Sequence, residues 1–151
     1  MINKVFRDSK SRVEYDNLMR SGDWTTNGYW AILTSFEPNY LSELKTRTES
    51  KPKVQELIDS IDKNDLVPVR VTDELSLCGN NVIVKMVEKD DPSIVDTIVT
   101  IWVNVYFLTM FMNLKTASCS FFVEKKNHDR IVVKNSHDEI IGVIMTVRIH
   151  E

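Results

Sequence analysis

The chain has 151 residues, 42% of them apolar and 27% charged, a balance that supports one folded domain and excludes a disordered or fibrous polymer. Nineteen Lys and Arg against 22 Asp and Glu leave a net charge of −3, so no global positive field draws the molecule to nucleic acid or to an anionic membrane. Cys78 and Cys119 stand far apart in no metal-binding spacing, which points to a reducing compartment rather than a disulfide framework. Met1 to Arg20 mixes basic and acidic residues without a signal-peptide core, and the apolar stretch Ile101 to Leu114 is too short and too polar to span a bilayer. A cytoplasmic protein is expected.

In chain order, Val13, Tyr15 and Met19 alternate, Ser21-Gly22-Asp23 supplies turn chemistry, and Trp24 to Thr34 is β-prone, which predicts a hairpin. Polar residues then fill Glu37 to Ser50, and residues 35–50 are expected to be a mobile loop. From Pro52, a favourable first helical residue, Val54, Leu57, Ile58 and Ile61 follow helical spacing and predict an amphipathic helix with one buried stripe. Leu66 to Thr72, Asn81 to Glu88 and Ile94 to Val103 read as strands separated by turn residues. A second helix begins at Asn104, whose side chain can cap it, and carries Phe107, Leu108, Phe111, Met112 and Leu114. Ser120 to Glu124, Arg130 to Lys134 and Ile140 to Arg148 read as three further strands. This order predicts an α+β fold, a single domain over residues 1–151 with an antiparallel sheet and two helices packed on one face.

Catalytic signatures are lacking. The four glycines are dispersed and form no phosphate loop, and no serine stands in a nucleophile elbow, so an enzyme is not expected and no cofactor is called for. His128-Asp129 and His137-Asp138 echo one another; brought together, His128 and His137 with the two carboxylates would suit a divalent metal. The plainer reading, preferred here, places each pair in a solvated hairpin turn, and no metal site is assigned. Lys51, Lys53, Lys63 and Lys115 are weak candidates for DNA contacts, because Glu56, Asp59 and Asp62 balance the charge of the first helix.

Two phrases, Thr26-Asn27-Gly28-Tyr29-Trp30-Ala31-Ile32 and Gly142-Val143-Ile144-Met145-Thr146-Val147-Arg148-Ile149, resemble strands of the bacterial DNA polymerase III β-type sliding clamp family. Val103 to Leu108 with Leu114-Lys115 is similar to the start and end of that family's last helix, and Lys51 to Ile61 to the helix after its Thr-Asp-Gly strand. The resemblance implies a single DNA-clamp-like domain, a derivative of phage or mobile-element type. Its function would be a non-enzymatic interaction module linked to DNA replication that binds replication or host proteins through short peptide motifs and self-associates. The family's peptide cleft maps onto Thr26, Gly28, Tyr29, Trp30, Met145, Thr146, Val147 and Arg148. Asn27, Tyr29 and Trp30 stand where the family has Asp, His and Arg, and Thr146 where it has proline. An alternative is a phage-type inhibitor or decoy of a host replication or defence protein, with Glu37, Glu43 and Glu49 as acidic contacts; a metal-dependent enzyme is third. Aromatic and methionine residues in strands are also commonly core, so Trp30 and Met145 are either groove or interior.

Overall fold

A computed structural model describes residues 18–42, 47–48, 53–90 and 99–148. The expected strand before Asn17, the residues preceding Val99 in the expected Ile94 to Val103 strand, and Lys51, Pro52, Glu43 and Glu49 lie outside the described residues.

The elements are β1 (Met19–Ser21), β2 (Trp24–Thr26), β3 (Trp30–Leu33), α1 (Asn39–Ser42), β4 (Arg47–Thr48), α2 (Lys53–Asp59), β5 (Leu66–Cys78), β6 (Asn81–Glu88), β7 (Thr100–Asn104), α3 (Val105–Met112), β8 (Ser120–Glu124), β9 (Asn127–Lys134) and β10 (Ile140–Met145). Among the described residues, ten strands form one sheet in the order β4-β1-β2-β3-β10-β9-β8-β5-β6-β7. Every ladder is antiparallel except that of β1 with β4. The α+β class therefore holds.

Beyond β10 the chain meets the far edge of the sheet. Val147 bridges Trp102 of β7, its N–H donating to the Trp102 carbonyl at 2.7 Å. The run β10-β9-β8-β5-β6-β7 thus nearly closes on itself, and α3 packs against its inner side. Every residue of α3 from Val105 to Phe111 is buried. A helix apolar all round has no solvent face to present and needs such an enclosure. Asn104 starts it as expected, its Oδ1 accepting from the Tyr106 N–H at 2.8 Å. At Gly142 the ring of Phe111 approaches so closely that a Cβ would stand 2.3 Å from Cε1, which is why β10 carries glycine there.

The two main helices do not share a face. In β3, Trp30 and Ile32 belong to the α3 core whereas Ala31 belongs to the α2 core; in β9, Ile131 and Val133 contrast with Val132 in the same way. Alternate residues of a strand point to opposite sides, so α2 and α3 cover opposite faces of the sheet and the expected one-sided arrangement is corrected. Ile58 and Ile61 are buried on the α2 side, with Val54 and Leu57 half-buried beside them.

Three further expectations change. Trp24 to Thr34 is not one strand: Asn27 and Gly28 divide it into β2 and β3. The 35–50 segment contains α1 and β4, and the fully buried side chain of Leu41 anchors α1 to the α3 core. Finally, β5 runs past Thr72 to Cys78, with a bulge between Val71 and Leu75, forming a long arm with β6 on which Leu77 is exposed.

Candidate functional site

Residues facing one another in a ladder share a side of the sheet. Ser21 faces Trp24, Met19 faces Thr26, Thr26 faces Ala31, and Ala31 faces Val143. Trp24, Ala31 and Val143 belong to the α2 core, so this set, with Met145 next in alternation, lies on the α2 side. The indole Nε1 of Trp24 donates to Gln55 Oε1 at 2.9 Å and holds α2 over the sheet. Between α2 and these strands remains a groove of about 280 Å³, walled on the sheet side by Met19, Ala31, Val143 and Met145 and on the helix side by Val54 and Leu57.

One end of the groove is the turn between β2 and β3. Gly28 adopts φ +96°, a conformation glycine alone takes up without strain. Asn27 Oδ1 accepts from the N–H groups of Tyr29 at 2.9 Å and Trp30 at 3.1 Å. Thr26 Oγ1 donates to the Trp30 carbonyl and accepts from the Gly28 N–H. This network drives Tyr29 outward: the side chain is 56% exposed, and its ring stacks on Phe107 at 6.0 Å between centroids. Met145 N–H donates to the Tyr29 carbonyl at 2.8 Å, which sets the final strand against the turn.

Of the residues singled out from the sequence, Thr26, Gly28, Tyr29, Trp30 and Met145 all line this groove. Trp30 contributes from the interior, being 2% exposed and packed in the α3 core. Thr146, Val147 and Arg148 are not part of the lining. Thr146 Oγ1 donates to the His128 carbonyl, Val147 pairs with Trp102, and exposed Arg148 bonds Asp129 at 2.8 Å. That hydrogen bond, and then the Asp129 charge, raise the Arg148 guanidinium above its ordinary pKa. Arg148 is thus already engaged with a carboxylate of its own chain, away from the groove.

Sequence reasoning missed Met19, Ser21, Ala31, Val54, Leu57 and Val143. The available signal was the run of apolar residues at consecutive positions in β3 and β10, which marks strands buried on both faces.

Lys53 lines the groove, whereas Lys115 belongs to a separate cleft beside Glu37, Pro38 and Tyr40, and Lys63 is exposed on a short 3-10 turn. Lys53 and Lys115 therefore form no shared concavity for a phosphate backbone, and Lys51 lies outside the described residues. The His-Asp echo separates as well. His128 is in β9, not in a turn, while exposed His137 is in the 135–139 turn, whose Asn135 Oδ1 accepts from the His137 and Glu139 N–H groups. Among the described residues, no three His, Cys, Asp or Glu side chains gather as a metal site. Glu37, expected as a free acidic contact, is nearly buried and ion-paired with Arg20 at 3.0 Å. A buried ion pair exists because the cation offsets desolvation of the carboxylate, so this group is not available to an outside partner.

No protein-family model, curated protein or solved structure matches the chain.

Proposed function

We propose that this chain is a non-enzymatic protein-interaction module that takes a short apolar segment of a partner into the groove between α2 and the β1-β2-β3-β10 part of the sheet. The observation that carries the reading is the adjacency of the two clamp-like phrases. Ala31 stands opposite Val143 in the β3–β10 ladder and both line the groove, so both phrases contribute to it within a single copy of the chain. The surface has suitable chemistry: exposed Tyr29 offers a rigid aromatic contact, and Met19 and Met145 adapt to irregular side chains. The resemblance makes a DNA-clamp-like domain and a replication partner, such as a polymerase or clamp-loader subunit, the first choice. The placement of α2 and α3 on opposite faces departs from a clamp domain with both helices on one side.

The test is an NMR titration of methyl-labelled methionines with short peptides from replication proteins. The Met19 and Met145 signals should move while exposed Met112, at the end of α3, stays in place. Tyr29→Ala should weaken binding roughly 5-fold to 30-fold, the range of an interface anchor. Unchanged affinity in that variant, or shifts at Met112 alone, would refute the groove.

A further inference from the structure

The groove has an uneven chemical lining. Among the described residues its walls are apolar apart from Ser21, Thr26 and the tyrosine hydroxyl, and the one charged side chain in its lining is Lys53, with no carboxylate beside it. Thr26 already satisfies its hydroxyl within the turn. Ser21 does not: it is 2% exposed, faces the groove opposite Trp24, and its Oγ has no hydrogen-bond partner among the described residues. Its burial without a partner already carries a desolvation cost, which an occupant that brings an acceptor relieves and a pure hydrocarbon leaves in place.

Resting on the interaction-module reading, we infer that the groove recognises an extended peptide segment in which a large apolar residue is followed by an acidic one. The apolar side chain fills the space between Val54, Leu57 and Met145, a backbone carbonyl of the ligand accepts from Ser21 Oγ, and the acidic side chain pairs with Lys53 at the exposed rim. The volume, about 280 Å³, suits one or two side chains rather than a folded surface. The sign of the charge follows from the described lining: an acidic group meets the Lys53 cation there, and a basic group meets, among the described lining residues, that same cation alone.

Three probe peptides test this, acetylated and amidated Gly-Leu-Leu-Asp-Gly and its Asn and Lys counterparts at the fourth position, followed through the Met19 and Met145 methyl signals. The Asp probe should bind about 2-fold to 5-fold more tightly than the Asn probe, as expected of a partly exposed ion pair, and the Lys probe should bind least. Lys53→Gln should abolish the Asp preference, and Ser21→Ala should weaken the Asp and Asn probes alike by about 2-fold to 10-fold, the worth of one hydrogen bond. Thermal unfolding of both variants checks that the fold is intact. If the Asp and Asn probes bind equally and neither variant matters, the groove stands and this inference fails. If none of the probes binds, while peptides from replication proteins do, the apolar-acidic preference is likewise refuted. Failure of every peptide would remove both readings.

Discussion

The α3 and α2 sides of the sheet solve the same problem differently. Around α3 the nearly closed strand circuit leaves a helix buried from Val105 to Phe111, and glycine is needed at 142 to admit the Phe111 ring. Under α2 only Ile58 of the helix is buried, and the strands extend past it to leave an open groove. The first arrangement converts apolar area into stability. The second leaves apolar area uncovered, which is the condition for binding something else.

That contrast can be broken most sharply at Phe111. Phe111→Ala should cost about 3 to 5 kcal/mol in urea unfolding, because the enclosed site cannot collapse to fill the void. Leu57→Ala, half-exposed on the groove wall, should cost only about 1 to 2 kcal/mol while weakening ligand binding. Equal losses would erase the distinction between a core side and a binding side. Next in size, Asn104→Ala removes the side-chain cap of α3 and should cost about 1 to 2 kcal/mol; a change below a few tenths would show that packing alone positions the helix. Near neutral pH the smallest effect sits at Cys119, whose thiol is pushed by burial from 9.0 up to about 11 and is protonated there whether folded or unfolded. Iodoacetamide should label exposed Cys78 first and Cys119 slowly. Between about pH 9 and 11 the unfolded thiol loses its proton while the folded one keeps it, so the contribution of Cys119 to stability should decline as pH rises through that window. Cys119→Ala should flatten this part of the pH profile.

Much of the fold is legible where one physical signal dominates. The Asn104 cap followed by an apolar helical run defines α3, and the limits of β6 and β8 coincide with their β-branched and aromatic stretches. The division at Asn27-Gly28 is a strong turn signal hidden inside a strongly β-prone stretch. Past Thr72, the charged pair Asp73-Glu74 at the bulge interrupts the strand pattern before Leu75-Ser76-Leu77 briefly resumes it, and the arm is largely exposed and held by its ladder with β6. The opposite placement of the helices depends on tertiary closure, yet Trp30-Ala31-Ile32 and Ile131-Val132-Val133 foreshadow it, each burying consecutive residues. Five of the twelve described lining residues were visible as motif residues. Ser21 and Val143 join it only through strand register, which sequence spacing does not fix across such distances.

The bridge from Val147 to Trp102 has a consequence for behaviour in concentrated solution. An outermost strand exposes unpaired amide and carbonyl groups that can template addition of another molecule, the first step toward fibrils. Here the segment after β10 occupies part of that template on β7, so a few residues outside any regular strand act as a built-in guard against runaway stacking.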